Sequence, residues 1–206
     1  MSTKQGSHHI TICLDNVLDN PYIKEDKRNE FLIDIKKEIN NINFLIKNLL
    51  ELSKFDANTI SFDRKNISVN SLLDESVKRV ELLRELKAVN IKINGEDFMI
   101  KGDFNWEVEA VSNIIKNAIE YSKEKSTIEI KKEKYSTYSS IKIINNGMIS
   151  KKDMDNIFKR FYKGKNSSFD SVGIGLSLAK KIIENDFGKI SIECKNNKTI
   201  FDIKYF

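Results

Sequence analysis

An α+β chain is expected: a helical hairpin, able to form a four-helix bundle on dimerisation, followed by a two-layer α/β sandwich. Three features of the residues point there. Over 24–55, Leu32, Ile35, Ile39, Ile42, Ile46 and Leu49 recur in steps of three and four, the seam of a helix bundle. Near Phe55-Asp56-Ala57-Asn58 the texture changes to short strand-like and helix-like runs in alternation. A single Pro and 8 Gly in 206 residues leave little material for linkers, so the elements follow one another closely.

The elements are expected in this order. Residues 8–19 read as a short amphipathic helix that stops at Asn20-Pro21, where proline cannot continue it. The long helix over 24–55 carries Phe31, Phe44, Leu45, Leu50 and Leu52 beside its seam. That stripe is wide enough to need a partner, and dimerisation is the simplest one. Ile67-Ser68-Val69 is strand-like, and Asn70 or Ser71 can cap a helix running to about Lys87. Strands follow at 89–93 and 98–100, and Asp103 can cap a helix over 104–121. Alternating strands at 127–133 and 139–144 lead into a loop-rich stretch, 145–172. A helix over about 175–186 and strands at 189–194 and 199–205 finish the chain.

The bulk composition narrows the function classes. With 40 % hydrophobic and 32 % charged residues the chain is a folded protein, not a disordered tail. The net charge of +5 favours polyanionic ligands such as nucleotides. The lysines are scattered and no basic run is interleaved with aromatics, so nucleic acid is not an expected partner. Cys13 and Cys194 are far apart and outside any C-x-x-C pair, which excludes the usual metal and disulfide patterns and fits a reducing cytoplasm. No stretch has the run of about 18 apolar residues that spans a bilayer. A membrane connection is expected only through an N-terminal sensor region missing here.

Three segments carry chemistry. In Asn113-Ile-Ile-Lys-Asn117-Ala-Ile-Glu-Tyr121-Ser122, the residues Asn113, Asn117 and Tyr121 are spaced four apart and share one helix face. Side-chain amides there suit a hydrated Mg²⁺ and phosphate oxygens without adding negative charge. Asn is a mediocre helix former, so two of them one turn apart in an apolar run need a reason. Next, Ile143-Ile-Asn145-Asn146-Gly147 puts a polar side chain at a strand end and follows it with a glycine, allowing backbone to approach a flat heterocycle. Finally, Gly173-Ile-Gly175-Leu176 opens a helix, where free N–H groups and the helix dipole favour an anion.

In this order the three resemble the ATP-binding domain of sensor histidine kinases, of the GHKL superfamily and the Bergerat fold. Asn113–Ser122 is similar to the family's N box, Asn145–Gly147 to its first glycine box and Phe158-Lys-Arg-Phe161-Tyr162 to its F box. Ser171–Leu176 resembles the second glycine box, with 159–172 as the ATP lid. The same ATP fold also serves Hsp90-type chaperones, DNA gyrase and mismatch-repair proteins. The F box and the preceding hairpin favour the kinase.

The resemblance implies that Asn117 ligates Mg²⁺, that Asn113 supports the phosphate end and that Tyr121 packs near the adenine. It implies that Asn145 meets the adenine amino group and that Gly147, Gly173, Gly175 and Leu176 line the nucleotide. Phe158 and Phe161 become lid-anchoring core residues. Three departures imply weaker binding rather than its loss. Asn145 stands where the family has Asp, Gly147-Met148-Ile149 lacks a second glycine, and Glu120 stands where Lys is common.

The family phosphorylates a histidine on the first hairpin helix, and two readings stay open. In one, Ser7-His8-His9-Ile10 resembles the start of that box and His8 is the acceptor. His9 then replaces the acidic residue that assists as base. In the other, residues 8–19 span roughly 18 Å of helix against roughly 48 Å for 24–55, so the first helix is too short to line the second. Counted back from the turn, the box then starts near Met1, Lys4 matches its lysine, and His8 is helix surface. Residues 1–57 are thus expected to be a dimerisation and phosphoacceptor hairpin, cut short at its N-terminus. Residues 58–206 are expected to be the ATP-binding catalytic domain. The expected function is that of a cytoplasmic two-component kinase core, homodimeric, with ATP and Mg²⁺ as cofactors. It passes phosphate from ATP to histidine and on to a response regulator receiver domain. The alternative is an acceptor-less ATP-binding protein that pairs with a full-length kinase.

Overall fold

A computed structural model describes residues 3–56, 61–164 and 173–206. The chain divides into two compact units, Met1–Asn58 and Thr59–Phe206. In the first, α1 (Thr3–Leu18) packs against α2 (Glu25–Asp56). The turn between them is closed by Asp19 N–H donating to the Asp15 carbonyl and Ile23 N–H to the Asn20 carbonyl.

The expected first helix, 8–19, begins five residues early, at Thr3. Gly6 did not stop it, because an interior glycine costs only about 1 kcal/mol relative to alanine and no proline intervenes. At 16 residues α1 is still half as long as the 32-residue α2. Ile35 of α2 is buried and Ile42 half-buried, whereas Ile39, Ile46 and Leu49 of the same seam stay exposed.

The second unit is a layered α/β structure. Strand β1 (Lys65–Ser68) leads to α3 (Val69–Arg79), α4 (Glu81–Leu86), β2 (Asn90–Asn94), β3 (Met99–Gly102) and α5 (Phe104–Tyr121). Then come β4 (Thr127–Lys134), β5 (Ser139–Asn146), α6 (Lys151–Met154), α7 (Gly175–Asn185), β6 (Gly188–Lys195) and β7 (Lys198–Tyr205). The main sheet has five strands in the order β2-β4-β5-β7-β6, antiparallel apart from the β2–β4 pair. A separate antiparallel pair joins β1 to β3.

Three expectations shift. The helix foreseen from 70 to 87 breaks at Val80, which turns inward and is buried, leaving Leu82 and Leu86 of α4 exposed. Its cap is Ser68, whose Oγ accepts from Ser71 N–H, rather than Asn70 or Ser71. Strand β5 runs two residues beyond 144, because β7 continues to pair with it at Asn145↔Thr199 and Asn146↔Lys198. The β6–β7 hairpin turns on Asn196 and Asn197, both with positive φ, the conformation that two-residue hairpin loops require and that Asn tolerates.

Helix α5 lies against α3, α7 and β5. Val108, Val111, Ile114, Ile115, Ala118 and Ile119 are fully removed from water. Each large aliphatic among them contributes roughly 1.5–3 kcal/mol, which fixes the rotation of the helix and so aims its opposite face. The inward rows of the two central strands are apolar through Ile141 and Ile143 on β5 and through Ile203 and Phe201 on β7. Both rows then turn polar together, at Asn145 and Thr199. The apolar core ends at that pair.

Candidate functional site

Asp103 starts α5 by accepting from the N–H groups of Asn105 (3.1 Å) and Trp106 (3.4 Å). Its far end is closed from outside the helix. Lys87 Nζ donates to the carbonyls of Ile119 (3.2 Å), Glu120 (2.6 Å) and Ser122 (3.2 Å), and Ser122 Oγ donates to the Ala118 carbonyl. A cation on these helix-end carbonyls also complements the helix dipole. Between these caps, Asn113, Lys116, Asn117, Glu120 and Tyr121 form the only partly covered face of the C-terminal half of α5.

Asn113 Nδ2 donates to Glu109 Oε1 (3.2 Å), and Glu109 Oε2 is held by Arg79 of α3 at 2.8 Å. The Asn113 Oδ1 lies 2.9 Å from where a Cβ on Gly175 would stand, so any side chain there would displace the Asn113 amide. Ile174, the residue before α7, gives no side-chain cap to the N–H groups of that turn. One turn along α5, Asn117 Oδ1 is buried without a hydrogen-bond partner among the described residues. Tyr121 is half-buried. Burial, then the nearby Glu120 and Asp153 carboxylates, pushes its phenol above the usual value.

Strand β5 delivers Asn145 beside this face. It is 2 % exposed, and its Oδ1 is likewise buried and unpartnered among the described residues. Gly147 follows, with a would-be Cβ only 3.0 Å from the Tyr121 carbonyl, so the chain passes α5 where a side chain would not fit. Its backbone is anchored on both sides. Gly147 N–H donates to the Asn197 carbonyl at 3.2 Å, and Thr199 Oγ1 donates to the Gly147 carbonyl at 2.9 Å.

Gly173 has φ +74°, and a Cβ there would stand 2.4 Å from the Tyr162 carbonyl. The Phe161 N–H donates to the Gly173 carbonyl at 2.8 Å, so the two margins of the expected lid are tied together. Residues 165–172, which hold most of that lid and Ser171, lie outside the described residues. Tyr162 Oη donates to Asp153 Oδ1 at 2.5 Å, and Tyr121 Oη lies 3.1 Å from where a Gly164 Cβ would stand.

Asn113, Asn117, Tyr121, Asn145, Gly147 and Gly175 thus gather around the C-terminal half of α5, with Gly173 and the buried Leu176 flanking Gly175. Phe161 corrects an expectation: it is 56 % exposed with φ +63°, so its backbone, not its ring, anchors the lid margin. Phe158 is half-buried, with Lys180 Nζ 5.6 Å from the ring centre. His8 sits on the exposed side of α1, in the first unit. Glu109, Lys87 and Thr199 were not foreseen. Thr199 had a signal, a polar residue in an inward apolar row; Lys87 and Glu109 had none in a lysine- and glutamate-rich chain.

The orphaned Asn117 oxygen fits a divalent ion, because a neutral amide oxygen is a proper hard ligand. Among the described residues no group of three or more His, Cys, Asp or Glu could hold a metal by itself. Such an ion would complete its shell with water or with oxygens of a bound ligand. No helix among the described residues is long and apolar enough to cross a membrane.

A family model described as histidine kinase-, DNA gyrase B-, and HSP90-like ATPase matches residues 102–205. The sensor histidine kinase WalK of Bacillus subtilis is 29 % identical over 203 residues, covering 93 % of this chain and 33 % of that protein. The chain spans about a third to a half of the length of the first curated relatives it matches. Among solved structures, the Acinetobacter baumannii histidine kinase AdeS is similar with a TM-score of 0.77 at 19 % identity, covering 98 % of this chain and 95 % of that one. Histidine kinase ThkA in complex with response regulator protein TrrA gives 0.73 at 22 % identity, covering 98 % and 60 %. At these identities the two structures speak to the fold alone.

Proposed function

The chain belongs to the histidine kinase-, DNA gyrase B-, and HSP90-like ATPase family, and from that premise we propose that it is the cytoplasmic, Mg·ATP-binding core of a two-component sensor histidine kinase. Residues 58–206 are the nucleotide-binding part and 1–57 the dimerisation and phosphoacceptor hairpin. One observation carries the reading: Asn117 and Asn145 bury amide oxygens without partners among the described residues, beside one another's elements. Leaving one such atom unsatisfied costs about 1–3 kcal/mol. Two of them on one site call for a ligand that brings a cation to one and an N–H donor to the other.

In this reading Asn117 supplies an oxygen to Mg²⁺, which when bound neutralises phosphate charge. Asn113 is held in place by Glu109 and Arg79 and, with the first turn of α7, to which Ile174 gives no side-chain cap, receives the phosphate end. Tyr121 flanks the purine and Asn145 meets its position 6. The acceptor imidazole nitrogen forms a bond to the γ-phosphorus while the bond to the β-phosphate oxygen breaks. ADP leaves, and the imidazole proton passes to a base. A receiver domain takes the phosphate next, a step supported by the response regulator seen with ThkA. The exposed seam of α2 supports a homodimer.

A second reading, a nucleotide-binding partner of a full-length kinase without its own acceptor, is favoured by one observation. No Asp or Glu lies within four residues of His8 on either side. Calorimetry with a non-hydrolysable ATP analogue and Mg²⁺ tests the site common to both. Saturable binding should fall at least about tenfold in Asn117→Ala and Asn117→Asp, the loss expected when a buried partner is removed. Equal binding by wild type and both variants would sink the assignment.

A further inference from the structure

We infer that the base subsite reads position 6 of a purine through a reversible amide, and therefore binds 6-oxo as well as 6-amino purine nucleoside triphosphates. This rests on the reading of Asn145 as the residue that meets the base. It concerns what kind of base that residue admits.

The observation is the freedom of one buried side chain. Asn145 is 2 % exposed at the end of the inward row of β5. Among the described residues its Oδ1 has no partner and its Nδ2 donates to none. The groups around it are already engaged. Thr199, directly opposite in register, gives its hydroxyl hydrogen to the Gly147 carbonyl, and Gly147 gives its N–H to the Asn197 carbonyl. Nδ2 lies beside Gly147, 3.4 Å from where a Cβ would be, so the side without a β-carbon leaves room around the amide. Neither end of the carboxamide is held by a hydrogen bond among the described residues.

A carboxamide carries an acceptor at one end and two donors at the other on a planar group whose shape hardly changes when it is turned over. A 6-amino purine offers a donor at position 6 and an acceptor at N1. A 6-oxo purine offers the reverse pattern. Asn145 can face the first with Oδ1 and the second with Nδ2, and neither turn breaks a bond already made. A carboxylate at this place could only accept, and would meet the oxo group acceptor to acceptor. A buried polar group that faces the wrong partner is what allows a site to reject an analogue by about 10⁴-fold. Asn145 removes that rejecting contact. It also removes the charge that would strengthen the bond to an amino group.

The test is competition on the full chain, with ATP and inosine triphosphate each displacing a fluorescent ATP analogue in Mg²⁺. Inosine differs from adenosine at position 6 and N1 alone, so the ratio of the two dissociation constants isolates this contact. Wild type should hold the two within about tenfold, the spread left when neither partner is unpaired. Asn145→Asp should widen the ratio beyond about a hundredfold by weakening inosine triphosphate while ATP is kept or strengthened. Asn145→Ser, whose hydroxyl also donates or accepts, should leave it within tenfold, and it decides the matter should the aspartate variant not fold. Wild type that binds ATP yet rejects inosine triphosphate a hundredfold overturns the inference, as does a ratio unmoved by Asn145→Asp or widened by Asn145→Ser. Failure of ATP itself to bind overturns the nucleotide reading and this inference with it.

Discussion

Tyr205, the last residue of β7, donates its hydroxyl hydrogen to Oε2 of Glu107 in the first turn of α5, and both side chains are buried. The other oxygen, Oε1, has no partner among the described residues. Burial pushes the Glu107 carboxyl up to about 8, with Asp186 and Asp103 pushing the same way and the Tyr205 bond pulling against them. The partners of Asp186 make the cluster a fixed one: Arg64 Nε at 2.7 Å and Asp103 N–H at 3.0 Å.

The sign of the pH effect follows. In the unfolded chain Glu107 ionises near its ordinary 4.5, whereas in the fold it holds its proton to about 8. Folded protein thus binds more protons between those values, and the stability that Glu107 contributes below pH 4.5 is lost as pH rises toward 8. Above that it levels off. Glu107→Gln keeps the shape and cannot ionise. Thermal midpoints measured from pH 5 to 9 should show the wild type losing ground to the variant up to about pH 8 and running parallel beyond. Parallel curves over the whole range would mean that Glu107 is ionised in the fold.

Gly175 separates binding from folding. It opens α7, where alanine is favoured over glycine by up to about 1 kcal/mol. The same methyl group would press to 2.9 Å on Asn113 Oδ1. Gly175→Ala should therefore keep or raise the thermal midpoint while weakening Mg·ATP binding by about tenfold, equivalent to roughly 1.4 kcal/mol. Gly173→Ala should lower both, because its φ of +74° and its 2.4 Å approach to the Tyr162 carbonyl strain any side chain. Unchanged binding in Gly175→Ala would show that Asn113 can move aside at no cost.

The hairpin leaves Leu32, Ile39, Ile46 and Leu49 of the α2 seam exposed, from 40 to 50 % of each residue. A row of that kind along α2 exceeds what an isolated chain normally presents to water. A homodimer is expected by light scattering at tens of micromolar, and Ile39→Asp together with Ile46→Asp should return it to monomer. A wild type already monomeric at that concentration would remove the hairpin as a dimer interface.

How far the residues alone could be read depended on whether a signal was local. Periodicity exposed α5 to within a residue, and the shared face of Asn113, Asn117 and Tyr121 followed from spacing. The strand β5 was cut short at 144 because Asn-Asn-Gly reads as a turn. Only its pairing with β7, some 55 residues later in the chain, extends it through Asn146. Lys87 on the α5 carbonyls and Glu109 beneath Asn113 were invisible for the same reason: each role depends on a partner that no spacing rule reaches. Phe161 misled in the opposite sense, since the F-box resemblance implied a core anchor and its backbone N–H is the part in use.

An acceptor histidine needs an exposed position, a base to take its proton and an in-line approach to the γ-phosphorus. The first condition is met: α1 begins at Thr3, so His8 lies in its second turn and is exposed. The second is not. Residues 4–12 contain no carboxylate, and the next residue, His9, has its ring 3.9 Å from Cys13 Sγ. Losing general-base help costs about 10²–10⁴-fold in such a transfer. Register adds to this, because the acceptor position counted back from the turn falls near Met1, roughly 10 Å along a helix from His8. The chain should therefore bind ATP yet label itself poorly or not at all with γ-labelled phosphate. A full-length kinase mixed with it should be labelled on its own histidine if the acceptor-less reading holds. Strong, acid-labile labelling of this chain that disappears in His8→Ala and survives in His9→Ala would overturn the prediction and make His8 the acceptor.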